Sequence, residues 1–107
     1  MRETIYAILS AILPGVYWVT LPVNDAAPEQ YITFNVKQVD ELYADDSPVG
    51  TYFVVYVDFY SATDDQSKAD AIKAAMNAAG FAMTDDMPMY EPDTDRWHQS
   101  TTWVGVA

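Results

Sequence analysis

Side chains alternate in character along Thr51–Tyr60, which reads TYFVVYVDFY. A period of two is the pattern of a β-strand, because successive strand residues point to opposite faces of the sheet. One face of this segment carries Phe53, Val55, Val57 and Phe59, and the other carries Tyr52, Val54, Tyr56, Asp58 and Tyr60. We predict that the first face belongs to the core and that the second is a contact surface.

Two segments show helical periodicity instead. Residues 2–13 carry an apolar stripe at spacings of three and four, followed by Pro14-Gly15, which ends a helix. A second helix is predicted over residues 66–79. Its first turn follows Asp64 and Asp65, either of which can accept free amide hydrogens, and Gly80 suits the left-handed position after the last turn.

Shorter extended runs complete the pattern: Val16–Thr20, Tyr31–Val36, Ala82–Glu91 and Arg96–Val106. The last two are joined by turn-forming residues at positions 92–95, which predicts a C-terminal β-hairpin. The alternation of the last strand does not say which of its faces is buried. The fold class is α+β: a mostly antiparallel sheet with an N-terminal helix and a second helix on one face. We expect residues 1–107 to form a single domain.

The segment Asp40–Gly50, DELYADDSPVG, joins two of the predicted strands. It is longer than a tight hairpin requires, so it is either an extended hairpin tip or a working loop. We interpret it as a loop that docks a partner. The candidate docking residues are Asp40, Glu41, Tyr43, Asp45 and Asp46.

The charge balance narrows the classes of partner. Five Lys and Arg stand against sixteen Asp and Glu, for a formal net charge of −11, and the five cations are scattered along the chain. Sequence-specific binding of nucleic acid needs clustered cations at the phosphates, and an anionic membrane needs a basic face. We therefore expect neither partner.

The N-terminal segment combines Arg2 with an apolar run, which is the general pattern of a secretory leader. Glu3 lies in what would be the basic region, no small-residue cleavage site follows Leu13, and the run is too short to span a bilayer. We expect a soluble protein without a leader. The chain contains no cysteine, which excludes disulfides and thiolate chemistry.

Residues that could carry a reaction are few. His98 is the only histidine and lies in the middle of a predicted strand. We therefore expect it to be a structural residue of the sheet rather than a catalytic base. The acidic pairs fit turns and helix caps, and the acids from Asp93 lack the central Gly and closing Glu of a calcium loop. We expect no enzymatic activity, no cofactor and no metal site.

Asp58 is the exception among the acids, because aspartate is disfavoured inside a strand. It is tolerated if its face is wet or if it meets a cation. Tyrosine is enriched at protein interfaces, and a charge among tyrosines can fix the choice of partner. We therefore predict a subunit interface formed by Tyr52, Tyr56, Asp58 and Tyr60.

The order of these segments resembles the tail terminator, or tail completion, proteins of long-tailed bacteriophages. The strand 31–34 (YITF) resembles the family's first strand, residues 43–48 its acidic connection, and residues 55–60 (VYVDFY) its central strand. The helix end at 79–81 (AGF) and the terminal hairpin complete the resemblance, which covers most of the chain. The closing strand with Trp97 and Trp103 matches no motif of the family.

The resemblance implies a subunit of a ring, commonly of six copies, that caps the tail tube, ends its polymerisation and offers a surface for head docking. The implied partners are further copies of the chain, the tail tube protein and a head-completion or connector protein. The implied location is the tail or neck of a virion, after assembly in the host cytoplasm. An acidic ring would also let DNA pass without binding it.

Two other functions fit the same sequence. A head–tail connector of the neck would share the fold and differ in its neighbours. A small acidic protein could also mimic DNA and inhibit a nucleic-acid enzyme, although that function favours acids along one face, and these acids fall mostly at turns.

Overall fold

The chain folds into a five-stranded sheet with two helices on one side, as a computed structural model shows. The structure describes residues 1–21, 28–44 and 47–106, with side chains throughout these ranges except at positions 40–51. The elements in chain order are α1 (Arg2–Ser10), β1 (Val16–Trp18), β2 (Gln30–Ala44), β3 (Ser47–Ser61), α2 (Gln66–Ala78), β4 (Ala82–Glu91) and β5 (Arg96–Val106). The α+β class predicted from the sequence is confirmed.

The strands lie in the order β1-β2-β3-β5-β4. Three of the four pairings are antiparallel, and only the short β1 runs parallel to β2. The C-terminal hairpin is confirmed, but its second strand, β5, inserts between β3 and β4. The crossover through α2 therefore places β3, which like β2 has 15 residues, at the centre of the sheet.

Both helices pack on the same side of the sheet, which we call the helix-side face. Ile5 and Leu9 of α1 and Ile72 and Met76 of α2 are buried there. The strand residues beneath them are Val16, Ile32, Phe34, Val55, Val57, Phe59 and Trp103. The prediction that Val55, Val57 and Phe59 face the core is confirmed.

The helix boundaries follow their capping chemistry. Helix α2 begins after Asp65, whose side chain accepts the Lys68 amide hydrogen at 3.0 Å. After the C-cap Ala79 comes Gly80, which has a φ of 96° in the left-handed region, as predicted. Helix α1 is shorter than the predicted 2–13: it ends at Ser10, and a turn carries the chain toward Pro14. Leu13 is nevertheless buried against the helices.

The segment predicted to be a docking loop is largely strand. Backbone pairing between β2 and β3 continues through Asp40↔Thr51, Leu42↔Gly50 and Tyr43↔Pro48, with irregularities around position 42. The positions Asp40, Glu41 and Tyr43 therefore lie on β2 rather than in a loop, because the β2–β3 ladder extends almost to the tip. Asp45 and Asp46 lie outside the described residues. Of the two readings of this segment, the extended hairpin is the one observed.

This hairpin extends beyond its neighbours in the sheet. Strand β1 pairs with β2 only as far as Phe34, and β5 pairs with β3 only as far as Tyr52. We call the two-stranded remainder, 40–44 with 47–51, the arm. The described residues measure 52 × 28 × 25 Å along the principal axes, an elongated shape in which such an arm is expected.

Candidate interaction surfaces

The side of the sheet away from the helices, which we call the open face, carries an ordered row of rings. Tyr31 of β2, Tyr60 of β3 and His98 of β5 are direct neighbours across the three strands. The rings of Tyr31 and Tyr60 stack with centroids 4.6 Å apart, and those of Tyr60 and His98 stack at 4.2 Å. Tyr17 of β1 meets the edge of the row, 6.4 Å from Tyr31. The row therefore ties four of the five strands together.

Two carboxylates hold the histidine at the end of this row. His98 Nε2 donates to Asp58 Oδ1 at 2.8 Å, and Glu91 Oε2 lies 3.5 Å from His98 Nδ1. The second distance is an ion-pair contact rather than a hydrogen bond, since Nδ1 is buried and has no hydrogen-bond partner within the described residues. The side chain of His98 is only 11% exposed. Asp58 is thus tolerated in its strand because it meets a potential cation.

The charges around His98 determine its protonation. Burial lowers the pKa of His98, but the hydrogen bond and negative charge of Asp58, together with Glu91, outweigh it and raise the pKa above its usual 6.5. Burial and the charge of Asp58 raise the pKa of Tyr60 to about 12. Both carboxylates thus favour the charged form of His98, while the neighbouring tyrosine is held in its neutral form. This geometry suits a structural clamp.

The structure divides the four residues predicted to form a subunit interface into two pairs. Asp58 and Tyr60 are engaged within the chain, by His98 and by the ring row. Tyr56 is 40% exposed, and Tyr52 is partly exposed at the base of the arm. All four lie on the open face, as the alternation predicted. Whether any of them contacts another subunit stays a prediction.

Sequence reasoning missed Tyr31 and Glu91 as members of this cluster. Strand alternation places Tyr31 on the side of β2 opposite Ile32 and Phe34, which is its observed face. What joins it to His98 is the insertion of β5 beside β3, and no local pattern in the sequence encodes that neighbour. Glu91, as the last residue of β4, appeared only as the end of an extended run.

A second surface lies on the helix-side face, where the helix layer ends. A groove of about 370 Å³ runs between the first turn of α2 and the ends of β4 and β5. Two aromatic side chains, Tyr90 and Trp97, line it and are 44% and 41% exposed. Their rings meet edge to face with centroids 5.2 Å apart. No pattern in the sequence indicated this groove.

The described acidic side chains do not form one continuous face. Asp58 and Glu91 are on the open face, Asp86 on the helix-side face bonds Lys73 at 2.7 Å, and Asp70 is exposed on α2. Among residues with described side chains, no group of three or more His, Asp or Glu is arranged to hold a metal ion. No helix in the described part of the chain has the length and apolar character needed to cross a membrane.

Comparison with known proteins gives a shared fold rather than a family. No protein-family model and no curated protein matches the chain. A chain in the solved structure of the virion of a native gene transfer agent particle matches with a TM-score of 0.59 and 13% sequence identity. The match covers 95% of this chain and 90% of the other. The two chains therefore share the same fold over nearly their whole lengths.

Proposed function

We propose that this chain is a structural protein of a phage-type virion. The observation that carries the proposal is the fold shared with a chain of a gene transfer agent virion over 95% of this chain and 90% of that chain. In this proposal the chain catalyses no reaction, binds no cofactor and acts through contacts with other virion proteins.

Within the virion, we propose the role of a tail terminator: a ring, of six copies by resemblance, that caps the tail tube, ends its polymerisation and docks the head. The arm supports a role in assembly. A two-stranded ribbon is at best marginally stable alone in water, so pairing or packing against a neighbour would stabilise it. Tyr56 on the open face of β3 adds exposed aromatic surface outside the arm.

The acidic charge sets a condition on such a ring. Six copies at −11 each would carry a formal charge of −66. Apolar and tyrosine contacts must overcome this repulsion, which salt screens over roughly 8–10 Å near physiological ionic strength. Moderate salt should therefore strengthen the ring. The same charge would repel DNA phosphates from a central passage.

The mass in solution tests ring formation. Light scattering behind a sizing column should give a closed oligomer near six times 12.0 kDa at moderate salt, and smaller species at low salt. The exposed Tyr56 should contribute, so Tyr56→Arg should shift the mass toward the monomer, while Tyr6→Arg, an equal change on a similarly exposed tyrosine of α1, should not. A ring that dissociates as salt rises from low to moderate would contradict the charge argument.

A second measurement separates the terminator from a head–tail connector of the neck, which the shared fold supports equally well. Purified chain is added to polymerising tail tube subunits of the phage-type particle to which the chain is proposed to belong. Tube lengths are then measured by electron microscopy. A terminator should shorten the tubes and appear at one end of each. Unchanged tubes, with the chain bound instead to head particles, would identify a neck component. Binding to neither would contradict the virion proposal.

A further inference from the structure

The groove between α2 and the β4–β5 hairpin is bounded by ordered parts of the fold. Phe59 of β3 and Ala69 of α2, both buried, line its inner part, and Pro88 of β4 lines its rim. The outer part is formed by the two half-exposed rings of Tyr90 and Trp97. Helix α2 begins at Gln66, so this part of the helix-side face has no helix above it. The groove is therefore a concave aromatic surface with an apolar base.

The turn between β4 and β5 holds the two rings in place. The Tyr90 hydroxyl donates a hydrogen bond to the Asp95 carboxylate, and Asp95 has a φ of 54° in the left-handed region. Trp97 packs edge to face against Tyr90. Rings that are fixed before binding lose little conformational entropy when a partner arrives, which is the property of a binding hot spot.

The charge of the groove favours a positively charged ligand. Its lining includes the carboxylates of Asp64 and Asp65 and, among the described residues, no Lys or Arg. Asp65 is already occupied, since it accepts hydrogen bonds from the Lys68 amide and the Gln30 side chain. Asp64 is exposed, and within the described residues no hydrogen bond or ion pair engages it. The groove thus combines aromatic rings with one uncommitted carboxylate, the chemistry that binds a cation.

The same chain contains a second concavity of similar chemistry that holds a cation of its own. It measures about 360 Å³, is lined by Tyr6, Trp18 and Phe34, and has Glu3 at its edge. There the Arg2 guanidinium lies over the Trp18 ring, 4.3 Å from the centroid. The groove at Trp97 has the rings and the carboxylate, and its described lining residues include no Lys or Arg. His98 also lines the groove, but its ring stacks on Tyr60 and its Nε2 is bonded to Asp58.

We propose that this groove binds an Arg or Lys side chain from a protein partner. The cation lies over Trp97 and Tyr90 and pairs with Asp64, while an apolar neighbour in the partner contacts Pro88. The partner is a segment of basic and apolar residues, since an acidic segment or a nucleic acid would meet the carboxylates with like charge. This inference is independent of the proposed virion role and concerns the isolated chain.

The test follows the indole N–H signal of Trp97 by NMR while a short peptide is added. The probe is a five-residue peptide, blocked at both ends, whose central arginine is flanked on each side by a leucine. Trp97→Phe assigns the signal among the three tryptophans. The arginine peptide should shift it saturably, and citrulline in place of arginine should weaken binding about three- to fivefold, as loss of one exposed cation–π contact implies. An equal response to the same peptide with glutamate in place of arginine would overturn the proposal.

Two variants with the same change of charge locate the site. Asp64→Asn should weaken binding of the arginine peptide, and Asp70→Asn, on the exposed side of α2 and outside the groove, should not. Equal effects of the two variants would mean that the peptide responds only to the net charge of the protein, and would overturn the assignment of the site to this groove. A Trp97 signal that shifts with protein concentration and no longer responds to the arginine peptide would show that a second copy of the chain occupies the groove, which also overturns the assignment.

Discussion

The two faces of the sheet reach order by different means. The helix-side face buries Val55, Val57 and Phe59 beneath α1 and α2, and needs only apolar side chains of suitable shape. No helix of the described residues lies over the open face, and its side chains are ordered by each other, through stacked rings and the contact of His98 with Asp58. Order on a covered face follows from burial in general, whereas order on an uncovered face depends on specific partners.

The largest difference in stability loss should appear between substitutions of two adjacent valines of β3. Val55 is fully buried on the helix-side face, and Val54 is partly exposed on the open face. We expect Val55→Ala to lower the free energy of unfolding by about 2 kcal/mol or more, through lost burial and a residual cavity. Val54→Ala, the matched control, should cost less than half as much. Urea unfolding measures both, and equal losses would contradict the assignment of the faces.

A smaller effect is expected from the pair on the open face. Asp58→Asn removes the charge that meets His98, and we expect a loss of about 1 kcal/mol, within the range for a hydrogen bond to a charged group that is partly exposed. A double-mutant cycle with His98→Gln isolates the pair. Losses that add, without coupling, would mean that the contact contributes nothing to stability. Asp70→Asn, an exposed control, should be nearly neutral.

The pH dependence of stability should report the same contact. The pKa of His98 is raised in the folded state from its usual 6.5, because the carboxylates of Asp58 and Glu91 outweigh the effect of burial. Its contribution is therefore fully present below pH 6.5 and is lost as pH rises through the raised folded pKa. We expect the free energy of unfolding to fall over this window, by less than removal of Asp58 costs. In His98→Gln the fall should disappear, and its persistence would assign it to another group.

The smallest effect on stability should come from the exposed part of the open face. Tyr56→Ala should change the free energy of unfolding of the monomer by no more than about 0.5 kcal/mol, because the ring is 40% exposed and no described aromatic pair includes it. If the ring assembles as proposed, the variant should still lose oligomer mass in light scattering. A large loss of monomer stability would place Tyr56 with Tyr60 as part of the internal cluster.

Local chemistry explains the parts of the structure that were predicted correctly. The faces of β3, the cap at Asp65, the left-handed Gly80 and the existence of the last hairpin each depend on residues close together in the chain. Of the two readings of residues 40–50, the extended hairpin is observed and the loop is wrong, because the β2–β3 ladder continues through both sides of that segment. Pairing with a long partner strand overrode the local composition. The docking role of these residues stays a prediction.

The sequence by itself determined which residues share a face, because the alternation of a strand is set by the geometry of its own backbone. It determined the helices, the acidic charge and the α+β class for the same local reasons. Only the tertiary structure decided that β5 lies beside β3. That neighbour brings His98 to Asp58 across forty residues of chain, buries the Trp103 face of β5, and leaves Trp97 and Tyr90 in a groove that no helix covers. Strand order depends on the free energy of the whole packed sheet, and no single segment contains that information.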